Sequence, residues 1–154
     1  MNELNPFKLA KMLEERENTV ELHSISVRYK GEKVVEGAWA PFSMEEPQMM
    51  HSLSKIGTSI CVGFAVDEGK LHLEDKFLDY VREDLPDEYD EALENITVYD
   101  LLTMQAGSPE CCNNVWFSRL EKDWEKNWLG QPKLKEDIGK VFHYDSGCIY
   151  TLSR

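Results

Sequence analysis

Apolar residues recur along this chain with two different periods, and the switch between them marks out its elements. Asn5 followed by Pro6 reads as an N-cap and a first helical position. Phe7, Ala10 and Leu13 then fall on one helical face, predicting a first helix to about Arg16. From Glu21 the period shortens to two, with Leu22, Ile25 or Val27, and Tyr29 before a Lys30-Gly31 turn and Val34, Val35 and Trp39 after it. That pattern predicts a β-hairpin. Pro41 and Pro47 punctuate the loop that carries the chain toward Met49 and Met50.

The next segment, Ser52 to Glu68, carries Ile56, Ile60, Cys61, Val62, Phe64, Ala65 and Val66, apolar on nearly every face, and stops at Gly69, a natural helix terminator. It predicts a helix buried on most sides. Leu71, Leu73, Phe77, Leu78, Tyr80 and Val81 follow among acidic residues, and the run from Glu83 to Glu94 around Pro86 reads as a solvated connector. Thr97, with Asp100 three residues on, forms a capping-box pattern ahead of Val98, Leu101 and Leu102, opening a helix that should end near Gly107 and Pro109. Trp116, Trp124 and Trp128, spaced among charges, suggest an amphipathic helix over Val115 to Trp128 and a Gly130 to Pro132 loop after it. Phe142, Tyr144, Ile149, Tyr150 and Leu152 then begin a last apolar pattern that is cut off at Arg154.

With 154 residues, 42% of them hydrophobic, the chain has the size and composition of one globular domain. Its 29 Asp and Glu against 17 Lys and Arg leave a formal net charge of -12, which repels phosphate backbones and anionic membrane surfaces, so no nucleic-acid or membrane partner is expected. No apolar run is long enough for a signal peptide or a membrane span, and a cytoplasmic location is expected. Cys61, Cys111, Cys112 and Cys148 lack metal-type spacing and read as free thiols. His23, His51, His72 and His143 are scattered without ligand spacing, so no metal is expected.

Chemistry is carried by Ser52 and Lys55. A serine hydroxyl needs a base within reach and preorganised donors for the oxyanion it generates. Three residues apart on one helix face, the Lys55 amine can approach the Ser52 hydroxyl, and apolar surroundings would favour its neutral, base-competent form. Unpaired N–H groups at the helix start can serve the oxyanion. The S-x-x-K spacing alone is common, and an N-cap serine followed by a surface lysine reads the same way.

Several ordered motifs narrow the choice. The stretch HSLSKIGTSICVGFAVDEGKLHLEDKFLDY, then ITVYDLLTMQAGS, then VFHYDSGCIYTLSR, preceded by the hairpin LHSISVRYKGEKVVEGAW, resembles the serine β-lactamase and penicillin-binding-protein family, in particular its class C-like esterases, from about Val20 to Arg154. The resemblance implies an α/β (α+β) fold, an antiparallel sheet flanked by helices plus a helical lobe. It also implies an acyl-enzyme at Ser52, with Tyr144 sharing the proton transfer with Lys55. Ser146 stands where the family commonly has Asn, so its hydroxyl would contact a bound carbonyl or Lys55. The family's later K-T-G or H-x-G triad has no counterpart here, and its C-terminal strands are missing.

The expectation is therefore one incomplete β-lactamase-like domain over residues 1–154, with an N-terminal helix and hairpin over 1–50 and the nucleophile helix and helical lobe over 51–154. It would hydrolyse a small ester, amide or β-lactam substrate and need no cofactor. One rival keeps the fold but not the activity, as a fragment that self-associates or pairs with a missing C-terminal segment. The other is an unrelated helical interaction domain. Cys111-Cys112 reads as an incidental vicinal pair, and the tryptophans as lining either a cleft or the lobe's interior.

Overall fold

Asn5 does what its place before Pro6 predicts: its side-chain oxygen accepts the N–H groups of Phe7 at 3.0 Å and Lys8 at 3.2 Å, two of the donors a helix start leaves unpaired. A computed structural model describes residues 5–17, 19–111 and 124–154. The chain divides into two compact units, Met1–Met49 and Met50–Arg154.

In the first unit, helix α1 (Pro6–Glu17) precedes strands β1 (Ser24–Tyr29) and β2 (Glu32–Ala38). The strands pair antiparallel with Val27 opposite Val35, and the register slips between Val27 and Arg28. Lys30 and Gly31 both take positive φ, 52° and 85°, as a two-residue hairpin turn matching the twist of its strands requires. Between helix and hairpin lies an apolar groove of about 460 Å³, lined by Leu9, Leu13, Tyr29, Val34 and Val35.

The second unit opens with a 3₁₀ turn, His51–Ser54, that runs into helix α2 (Lys55–Asp67). Gly69 (φ 67°) ends it: the N–H of Lys70 bonds the carbonyl of Ala65 and the N–H of Gly69 that of Val66, the paired closure for which glycine is favoured. Short helices follow: α3 (Leu78–Val81), α4 (Val98–Leu102), α5 (Trp124–Leu129) and α6 (Ser146–Leu152). Their core gathers Phe77, Leu78, Leu93, Ile96, Leu101, Trp128, Leu129 and Cys148. The capping box at Thr97 and Asp100 forms in both directions.

Three expectations need correction. Helix α2 is not buried on most sides: Val62 is its only buried residue, while Ile56 is 56%, Ile60 53% and Phe64 63% exposed. Its composition is that of a covered helix, but the described residues do not cover that stripe. The run Glu83–Glu94 is not wholly solvated, because Ala92 and Leu93 in the 3₁₀ turn Glu91–Asn95 drop into the core. The helix opened by Thr97 stops at Leu102, five residues short of Gly107, where Met104 turns the chain through positive φ (54°).

Asp90 ties this unit together. Its carboxylate accepts the N–H groups of Ala92 and Lys133, each at 2.9 Å. Those two bonds, Lys133 first, hold it below the ordinary carboxylate range. Because the folded value is the lower one, the stabilisation is present above the ordinary pKa of about 4 and is lost as pH falls through the folded value. Asp90→Asn can satisfy only one of the two N–H groups. At neutral pH it is expected to cost about 1 kcal/mol in urea denaturation, a gap that closes in acid as the wild-type carboxyl protonates. A gap that stays constant with pH would rule this account out.

Candidate active site

Ser52 sits in the 3₁₀ turn before α2, not in the α-helix itself, because His51 takes a left-handed conformation (φ 45°). A non-glycine residue held there stores strain that neighbouring bonds must hold in place. Here Leu53 N–H donates to the carbonyl of Met50 at 3.0 Å, and the Ser54 hydroxyl to that of His51 at 2.7 Å. The turn leaves the Ser52 side chain exposed and puts Lys55, first residue of α2, one turn further on and half-buried.

Tyr144 comes from the other end of the unit. The loop before α6 is held on both sides of it: His143 N–H donates to the carbonyl of Met104 at 2.9 Å, and the His143 ring meets Asp137 Oδ2 at 2.7 Å. Asp145, fully buried, caps α6 by accepting the N–H of Gly147 at 2.9 Å and also accepts the indole N–H of Trp128. Between these anchors Tyr144 reaches Ser52, with Oη 2.6 Å from Oγ. Lys55 Nζ donates to Ser52 Oγ at 3.3 Å and lies 5.3 Å from the Tyr144 ring centroid.

The three residues thus form one cluster, 92 positions apart at its widest. The hydrogen bond from Ser52, then that from Lys55, hold the Tyr144 phenol below its ordinary value, against a smaller opposing effect of burial, with Lys55's charge and Ser146 adding to the lowering. Chemically this is a hydroxyl beside a phenol whose ionised form can take its proton and an ammonium that favours that form. The all-round burial expected for Lys55 is not provided by the described residues.

Ser146, first residue of α6, lines a cavity of about 220 Å³ together with Lys55, Thr58, Trp124 and Tyr150. The tryptophans divide: Trp128 is a core residue, Trp124 lines this cavity, and Trp116 lies outside the described residues, as does Cys112 of the vicinal pair. Among the described residues no group of three or more His, Cys, Asp or Glu could hold a metal ion, and no helix is long and apolar enough to cross a membrane. The sequence reading gave Asp145 no role and left Trp128 between a cleft and the lobe's interior. An Asp one residue before a helix is a cap signal, but nothing in the sequence pairs it with an indole 17 positions earlier.

The Beta-lactamase family model matches residues 18–152. The chain belongs to the Beta-lactamase family. Its α+β arrangement of an antiparallel strand pair and helices is also found in a solved structure, a putative 6-aminohexanoate-dimer hydrolase from Bacillus anthracis, with a TM-score of 0.60. The two are 20% identical, and the match covers 94% of this chain but 40% of the other, a likeness of fold. No curated protein was found as a relative by sequence. Membership relates the chain to a hydrolase family, and the Ser52, Lys55 and Tyr144 cluster falls within the matched span.

Proposed function

We propose that this chain carries the nucleophile of a serine hydrolase that opens an ester, amide or β-lactam bond through an acyl-enzyme on Ser52. One observation carries the reading: a serine hydroxyl lies within hydrogen-bond distance of both a phenol and an ammonium, 2.6 Å from Tyr144 Oη and 3.3 Å from Lys55 Nζ. In the proposed acylation, Ser52 Oγ attacks the carbonyl carbon while its proton passes to Tyr144, ionised as the phenolate beside the Lys55 ammonium. The tetrahedral intermediate then collapses, and the same phenol returns the proton to the leaving group. Water attacks the ester in the second half, releasing the acid and restoring the hydroxyl. A lowered phenol suits this work, because an acid-base group serves best when its pKa approaches the working pH. Ser146 is proposed to donate to the bound carbonyl or to accept from the Lys55 ammonium at the wall of the small cavity.

Intact-mass spectrometry after exposure to a fluorophosphonate and to a penicillin tests the reading. One covalent adduct is expected on the chain and none on Ser52→Ala, with the circular dichroism spectra superimposable. An adduct that survives in Ser52→Ala, or none on the folded chain, would overturn it.

A second reading keeps the fold and replaces catalysis with association, as a module that self-associates or pairs with a further segment. The observation in its favour is the exposed stripe of Leu53, Ile56, Ile60 and Phe64, each more than half exposed. Contiguous apolar patches of that kind mark contact surfaces. Sedimentation velocity across a concentration series separates the two: a monomer throughout, with Ser52 labelled, favours the hydrolase.

A further inference from the structure

Tyr144 is 44% exposed, so little packing holds its ring in place. Its aim depends on the backbone that carries it. The residue after it, Asp145, is fully buried, and a buried carboxylate is costly unless its oxygens are matched by donors. Here both are matched. One oxygen takes the N–H of Gly147 at 2.9 Å and caps α6; the other takes the indole N–H of Trp128 on α5. The indole lies against Gly147 so closely that a Cβ there would fall 2.1 Å from Trp128 Cδ1. Lys133 holds the tryptophan in turn, its Nζ 4.1 Å from the ring centroid and donating to the Trp128 carbonyl at 3.0 Å. The backbone of Asp145 is extended (φ -143°, ψ 119°), which sets Tyr144 just outside the locked helix start.

We infer that Asp145 and Trp128 are positioning residues: a buried acceptor and donor, jammed against Gly147, that fix the start of α6 and so hold Tyr144 at Ser52. The inference rests on the role proposed above for Tyr144. A short cap at a helix start requires only one acceptor. The second bond, to the indole, ties the cap to another helix and makes the direction of residue 144 a property of the core. A displacement of about 1 Å in a reacting group can cost about a hundredfold in rate.

The test uses Asp145→Asn and Trp128→Phe. A carboxamide has one acceptor oxygen, so it can satisfy Gly147 or the indole but must turn its NH₂ on the other. Phenylalanine keeps a ring against Gly147 and removes the donor. Two readouts are taken on the full chain. One is the rate of Ser52 labelling by the fluorophosphonate. The other is the pH midpoint of Tyr144 ionisation from phenolate absorbance, with Tyr144→Phe as the blank. Ile96→Val, a core substitution outside the site, controls for stability alone.

Both variants are expected to slow labelling between about tenfold and a hundredfold and to move the Tyr144 midpoint up toward that of an ordinary tyrosine. Ile96→Val should move neither. The double variant should lose less than the product of the single losses, because without the indole the amide NH₂ no longer opposes a strong N–H donor, only the weak Cys148 thiol. Labelling and midpoint unchanged in both single variants, or changed equally by Ile96→Val, would overturn the inference. If the unmodified chain is not labelled but Asp145→Asn still shifts the midpoint, the positioning stands and the hydrolase reading falls. If labelling proceeds at one rate in all, the reverse holds.

Discussion

Lys55→Met is expected to slow the labelling of Ser52 by about a thousandfold, within the range that a positioned acid-base group contributes. Methionine keeps an unbranched stem of similar reach and removes only the amine, so the loss reads chemistry more than packing. Helix α2 is largely exposed and Lys55 half-buried, so a stability change within about 0.5 kcal/mol is expected. The pH dependence should move as well. Ser52 and then Lys55 hold the Tyr144 phenol below its ordinary value. Without the ammonium the phenol rises toward about 10, so the rising limb of labelling against pH shifts to the alkaline side. Rate against pH by mass spectrometry, for the parent chain and Lys55→Met, checks both effects. An unchanged rate and limb would mean that Tyr144 works without the lysine.

Trp128→Ala is expected to have the largest effect on stability. The indole is 1% exposed, packs edge-on to Phe77 with ring centroids 6.0 Å apart, and is the donor to the buried Asp145. Truncating a buried aromatic to alanine costs about 4 kcal/mol through lost transfer energy and the cavity left behind. Leaving a buried acceptor without its donor adds to that. For a chain of this length the loss corresponds to a fall in Tm of about 10 °C, read by circular dichroism so that the lost fluorophore does not matter. A loss below about 1 kcal/mol would place the indole outside the core.

The hairpin was legible because a period of two, a two-residue turn and a glycine are local signals, and Lys30 and Gly31 answer them directly. The capping box at Thr97 and Asp100 was legible for the same reason. Ser52 and Lys55 could be paired from spacing alone. Tyr144, 92 residues away, entered through its motif context and not through any period. What did not show was tertiary. Helix α2 has the composition of a buried helix, and composition carries no information about which residues are present to cover it. Leu93 hid in an acidic run because charge dominates a local average, although one apolar side chain there suffices to anchor a 3₁₀ turn in the core. The strain at His51 was invisible because a histidine, though enriched among the non-glycine residues at positive φ, is seldom held there.

The stripe of α2 that the described residues leave uncovered also governs how the protein behaves as a colloid. Apolar side chains at Ile56, Ile60 and Phe64 attract one another at short range, whereas a formal net charge of -12 keeps molecules apart at long range. Only the repulsion is screened by salt, its reach shrinking from about 10 Å at 0.1 M to about 3 Å at 1 M. Dispersal in dilute buffer therefore depends on the net acidic charge of the chain, and concentrated salt screens that protection while the stripe keeps its stickiness.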